Sequence, residues 1–141
     1  MPIRHAEARW EGSLKEGGGH LRLESGIYEG PYTWADRFAD GGGTNPDELL
    51  GAALASCYAM FLSAILTRDN ITPTRIDAKT AVHLTTDNLT ITRIDLDVAA
   101  EVPGLDGDKF QEYAQKAKEG CPVSKALGAV KEVVLTATLV S

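Results

Sequence analysis

Cysteine is scarce in this 141-residue chain: Cys57 and Cys121 are the only two. Two thiols exclude a disulfide framework and fall short of a four-ligand zinc site. In a reducing compartment a persistent bridge between them is unusual, whereas a transient one is chemically open. Histidine is nearly as rare, and His5, His20 and His83 show no mutual ligand spacing, so no metal and no other cofactor is expected. Basic residues are outnumbered, 14 Lys and Arg against 20 Asp and Glu, for a net charge of −6. That balance lacks the electrostatic footprint of a nucleic-acid or anionic-membrane partner. The chain also lacks a GxGxxG fingerprint, a Walker loop and a GxSxG elbow, and "GGG" at 17–19 and 41–43 reads as turn material. The N-terminal "MPIRHAEARWEG" has early charges and no apolar h-region, so no signal peptide is expected and the chain is placed in the cytoplasm.

One long uncharged stretch stands out, "LLGAALASCYAMFLSAIL" at 49–66, with Cys57 at its centre. Eighteen helical residues reach about 27 Å, which invites comparison with a membrane span. Gly51, Ala55, Ala59 and Ser63 instead form a small-residue stripe suited to close backbone approach, and no Lys/Arg cluster or aromatic belt flanks the run. The reading is a helix buried on nearly every side of a globular core or dimer.

The length suits one domain, 1–141. "RHAEARWEG", "HLRLESG" and "PYTWADRF" read as short strands broken by the turn segments "KEGGG" and "GIYEGP". Asn45-Pro46-Asp47-Glu48 opens a helix, with Asn45 as N-cap, Pro46 at the first helical position and Glu48 in a capping box, running from about Pro46 to about Arg68. Ile76, Ala78, Thr80, Val82 and Leu84 alternate as in a half-buried strand. In "LTITRIDLDVAAEV" the apolar phase slips at Thr92-Arg93, which predicts a bulge. Phe110, Tyr113, Ala114 and Ala117 mark a second helix ended by Gly120 as terminator; Cys121-Pro122 starts a third, and "VVLTATLV" closes the chain as a strand. The order βββ-α-ββ-α-α-β is α+β, with antiparallel sheets around a long central helix.

By residue type alone Cys57 is packing, because free cysteine behaves as a small hydrophobe and a mid-helix thiol gains little from the helix dipole. Cys121 sits before Pro122 at a helix start, where it reads either as a cap or as a reactive group, since backbone N–H groups there favour a thiolate. Arg37 lies on the rim of the second glycine-rich turn, and Asp47 and Glu48 are first-turn acids of the helix that carries Cys57. Ten residues separate Asp47 from Cys57, about 15 Å of axial rise, so the fold or a second chain must supply any contact between such groups.

"TNPDELLGAALASCYAM" together with "KAKEGCPVSKALG" resembles the OsmC (osmotically inducible protein C) branch of the OsmC/Ohr peroxidase family. "WEGSLKEGGG", "ESGIY", "RFADGGGTNP" and "EVPGLD" fall in the expected order, so the resemblance covers almost the whole chain. It implies a thiol-dependent peroxidase acting on organic hydroperoxides without metal or flavin, serving oxidative and osmotic stress defence. It also implies an intertwined homodimer with two sites at the subunit interface. Cys57 then matches the peroxidatic cysteine, Cys121 the resolving one, and Arg37 the arginine that supports the thiolate. The helix-start carboxylate falls at Asp47, where the family usually has glutamate, leaving Asp47 and its neighbour Glu48 both as candidates to hold Arg37. The resemblance further implies an external dithiol reductant, a lipoylated protein in some members. Leu54, Met60 and Phe61 are expected to wall an apolar site that favours alkyl or acyl hydroperoxides over hydrogen peroxide. A different class remains beside the enzyme: a dimeric, non-catalytic redox-sensing or binding module on the same fold.

Overall fold

A computed structural model describes residues 1–140. The chain forms two compact units, one from Met1 to Leu49 and a second from Leu50 onward. In the first unit, β1 (Ala6–Glu11), β2 (Gly18–Leu23) and β3 (Glu29–Tyr32) make an antiparallel meander in the order β1-β2-β3. The third strand thus takes in part of "GIYEGP", which the sequence marked as a turn, and it stops at Tyr32. The following residues, expected to stay extended, fold as α1 (Trp34–Phe38). Thr33 and Asp36 are the reason: the Asp36 amide donates to Thr33 Oγ1 while the Thr33 amide donates to Asp36 Oδ2, a reciprocal cap that nucleates one turn. Arg37 therefore sits in the last turn of a short helix and not at a strand end.

The long helix α2 spans Pro46–Arg68, the bounds its caps predict. The Glu48 amide donates to Asn45 Oδ1 at 2.8 Å, as an N-cap requires. Leu54, Tyr58, Leu62 and Leu66 are fully buried, and their spacing of four traces one stripe along the helix. Full burial of such side chains stabilises by about 1.5–3 kcal/mol each. The opposite face is open within one chain: Ala52, Ala53, Ser56 and Ala64 are exposed and Met60 is 74% exposed. Within one chain burial is thus one-sided, and the expected burial on nearly every side of a core or dimer is met on the sheet-facing side.

The stripe rests on a three-stranded sheet of order β4-β5-β6, comprising β4 (Arg75–Thr85), β5 (Thr90–Glu101) and β6 (Glu132–Val140). Gly51 permits the approach, since a Cβ there would lie 2.7 Å from Thr80 Oγ1 on β4. The β4–β5 register jumps from His83↔Arg93 to Leu84↔Ile91, so Thr92 is the extra residue of the predicted bulge. One pairing departs from the all-antiparallel expectation: β6 runs parallel to β5. The chain between them forms α3 (Gly107–Gly120) and α4 (Pro122–Ala126), a helical crossover long enough to bring β6 back in the same direction. Asp106 caps α3 through the Lys109 amide, and Phe110, Ala114 and Ala117 are its buried face. Leu96, Val98, Ala100 and Val102 complete the core with Tyr58, Leu62 and Leu66.

Candidate functional site

The two cysteines, 64 residues apart, meet. Cys121 Sγ lies 2.8 Å from Cys57 Sγ, and both thiols are free. The tertiary contacts that produce this are specific. On α2 the Tyr58 hydroxyl donates to the Ala114 carbonyl of α3 at 2.9 Å, and both residues are fully buried. One turn beyond Cys57, the Phe61 ring lies against Gly120. Leu54 and Ile94 are buried with Cys121, and Val123 and Leu127 close the cluster from the α4 side.

The two sulfurs differ in access. Cys57 is partly exposed, whereas Cys121 is 0% exposed. Burial pushes the Cys121 thiol above its ordinary value, and its proton directed at Cys57 adds to the effect; the Ser124 and Val123 amides oppose it. The helix-start amides thus face Cys121 as expected, but desolvation outweighs them, and the thiol form is favoured rather than the thiolate. Tyr58 is also shifted strongly upward, first by burial and then by its proximity to Cys121.

In the first unit Arg37 grips Asp47 with two parallel bonds, Nε to Oδ2 and Nη2 to Oδ1, both 3.2 Å. This fork is the geometry that makes Arg–carboxylate pairs directional. Asp47 is only 9% exposed, and the guanidinium also lies 5.6 Å from the Phe38 ring centroid. Glu48, one residue on, is exposed and makes no ion pair among the described residues, so the arginine's partner is Asp47. The sequence offered both acids because neighbours on a helix differ by about 100° in direction, and only the path of the preceding loop decides which one faces Arg37.

Asp36 fixes that path. Its Oδ2 accepts from the Thr33 amide and hydroxyl, its Oδ1 accepts from the Gly43 amide at 2.8 Å, and Asn45 Nδ2 donates to its backbone carbonyl at 2.8 Å. A Cβ on Gly41 would run into Asp36 Oδ1 and one on Gly43 would lie 2.9 Å from Asp36 Oδ2, so these two glycines of "ADGGG" are required by the close passage of the loop over this carboxylate, whereas Gly42 faces open space. The Gly43 amide first, and then Thr33, hold the Asp36 carboxyl below its ordinary value. Thr33 and Asp36 were not singled out in the sequence, although their T-x-x-D spacing is a helix-start signal.

The expected apolar wall divides. Leu54 is fully buried beside Cys121, Phe61 is half-buried near it, and Met60 is exposed. Helical geometry explains this: Leu54 and Phe61, seven residues apart, share a face, while Met60 points about 100° away from Phe61. Among the described residues no three His, Cys, Asp or Glu side chains group as metal ligands.

The site residues thus form two pairs, Cys57 with Cys121 and Arg37 with Asp47, each held within its own unit. The thiol pair is competent for dithiol–disulfide chemistry, because small shifts bring the sulfurs to a bonded distance of about 2.05 Å.

Comparison with known proteins gives the family. The family profile described as OsmC-like protein matches residues 39–136. The chain is 43% identical over 129 residues to Peroxiredoxin OsmC of Escherichia coli K12, covering 89% of this chain and 90% of that protein. It is 31% identical over 99 residues to the Organic hydroperoxide resistance protein of Xanthomonas axonopodis pv. citri, covering 70% of this chain and 69% of that one. Among solved structures, an OsmC-like protein from Mycoplasma pneumoniae superposes with a TM-score of 0.77 at 17% identity, over 99% of both chains.

Proposed function

Since this chain belongs to the OsmC-like family, we propose that it is a thiol-dependent peroxidase that reduces organic hydroperoxides to alcohols. The observation that carries the proposal is the asymmetry of the touching thiols: partly exposed Cys57 is open to a peroxide, and fully buried Cys121 lies 2.8 Å behind it. The Cys57 thiolate attacks the terminal oxygen, the O–O bond breaks, and the alkoxide leaves and takes up a proton as the alcohol. Cys57 is oxidised by two electrons to a sulfenic acid. Cys121 then attacks that sulfur, the S–O bond breaks, water leaves, and a Cys57–Cys121 disulfide forms before further oxidation to the sulfinic stage. Two electrons from an external dithiol restore the thiols.

Arg37 is the cation that supports the Cys57 thiolate, and Asp47 orients its guanidinium through the two-bond fork. Glu48 is left to stabilise the helix start. The protein works as a homodimer of single OsmC-like domains, with the subunits supplying each other's site. The open face of α2 supports this reading: Ala52, Ala55, Ala59, Ile76 and Ala78, with the charged Asp77 and Lys79 beside them, line a shallow groove that suits a second copy. A lipoylated protein is the reductant, and the cytoplasm, where thiols are kept reduced, is the site of action.

Intact mass after one equivalent of cumene hydroperoxide tests the roles. Wild type should lose about 2 Da, Cys121→Ser should gain about 16 Da at Cys57, and Cys57→Ser should stay unchanged. Cys57→Ser reacting at the wild-type rate would reverse the assignment. Sustained consumption of peroxide with dihydrolipoamide separates an enzyme from a redox sensor, which would stop after one equivalent.

A further inference from the structure

We infer that Gly120 and Phe61 are positioning residues for the resolving step: the Phe61 ring, seated where Gly120 has no side chain, holds Cys121 against Cys57. The inference rests on the peroxidase reading and adds to it the device that sets the speed of disulfide closure.

Gly120 does not have the role its place in the sequence suggested. A terminating glycine adopts a left-handed conformation, but the positive-φ glycines are Gly12, Gly26 and Gly104, and Gly120 remains the last residue of α3. The helix stops one residue later, where Cys121 takes φ −58° and ψ 125°, because Pro122 drives the residue before it into extended backbone. Gly120 is therefore free of a conformational requirement, and its requirement is steric. A Cβ there would lie 2.6 Å from Phe61 Cε1 and 2.7 Å from Phe61 Cζ, distances that side-chain atoms do not tolerate.

The contact forms one of two adjacent rungs. Cys57 and Phe61 are four residues apart on α2 and so lie on one face, one turn apart. Gly120 and Cys121 are adjacent at the end of α3. Phe61 on Gly120 and Cys57 on Cys121 thus tie the same turn of α2 to the same helix junction. The half-buried ring packs against both core clusters, so a retreat from residue 120 would disturb that packing or require the other χ1 well open to it on a helix. A methyl group at residue 120 consequently moves the junction, and Cys121 with it, away from Cys57. Misplacing reacting atoms by about 1 Å costs up to about 100-fold in rate.

The test follows loss of the Cys57 thiol and appearance of the disulfide separately, by rapid quench with dimedone and intact mass, after one equivalent of cumene hydroperoxide. In Gly120→Ala, Cys57 should be oxidised at the wild-type rate, while the disulfide forms at least about tenfold more slowly and the dimedone adduct of Cys57 accumulates. Phe61→Leu removes the two clashing ring atoms, so the double variant Gly120→Ala/Phe61→Leu should recover closure to within about threefold of wild type. Closure at the wild-type rate in Gly120→Ala, or a double variant as slow as the single one, overturns the inference. Should Gly120→Ala not fold by circular dichroism, Phe61→Trp presses the same contact from α2, and wild-type closure there overturns it equally. Wild type that fails to form the disulfide would sink the peroxidase reading and this inference together; a normal wild type with normal variants sinks only the inference.

Discussion

The Tyr58 hydroxyl reaches 2.9 Å across the core to the Ala114 carbonyl, so the residue after the proposed peroxidatic cysteine is also the clamp that holds α3 to α2. Removing the hydroxyl leaves a buried acceptor without this donor. Tyr58→Phe should lower stability by about 1–2 kcal/mol, read as a lower urea midpoint with an unchanged m-value. Stability equal to wild type would show that the bond contributes nothing.

The Arg37–Asp47 fork predicts a kinetic effect beside a stability cost, since Arg37→Ala leaves the nearly buried Asp47 carboxylate unpaired. Charge-assisted hydrogen bonds are worth about 1.5–3 kcal/mol, so Arg37→Ala should slow oxidation of Cys57 by about 10- to 100-fold. Asp47→Ala should fall in the same range because it frees the guanidinium, whereas Glu48→Ala should stay near wild type. Equal effects at Asp47 and Glu48, in stopped-flow assays of thiol loss, would contradict the assignment of Asp47 as the orienting acid.

Disulfide closure should accelerate with pH. Cys121 is pushed above its ordinary value of 9.0 by burial, and burial persists once Cys57 has become a sulfenic acid. Below its pKa the attacking thiolate fraction rises about tenfold per pH unit. Double-mixing experiments that form the sulfenic acid first should show closure still climbing at pH 9.0, the ordinary value. A plateau near pH 7, about 2 units below the ordinary value of 9.0, would mean that Cys121 is activated and not suppressed.

Asp36 gives the loop between α1 and α2 an acid limit. Its folded-state carboxyl is held below the ordinary value of 3.8, so the stabilisation is fully present above pH 3.8 and is lost as pH falls through the lower folded-state value. The Gly43 amide resonance should titrate with a midpoint below 3.8, the Asp36 reference value. In Asp36→Asn that titration should vanish. A midpoint at or above the reference would show that the Gly43–Asp36 bond does not form in solution.

Local physics carried much of this protein into its sequence. Asn45 and Pro46 set the start of α2, period-two alternation marked β4, and the slip at Thr92 marked the bulge, because each signal acts between residues a few positions apart. The family resemblance likewise rested on linear motifs around Cys57 and Cys121 and on the glycine-rich "RFADGGGTNP". What remained illegible depends on distant partners. The direction of β6 follows from how α3 and α4 return the chain to β5. The choice of Asp47 over Glu48 follows from the loop drawn over Asp36. Gly120 looked like a terminator because glycine commonly ends helices, and only the ring of a residue 59 positions earlier reveals its steric role. The two thiols could be named from the chain alone, but their 2.8 Å contact was decided by the tertiary structure, since burial of Tyr58 and Leu54 against α3 and its junction with α4 is what carries Cys121 to Cys57.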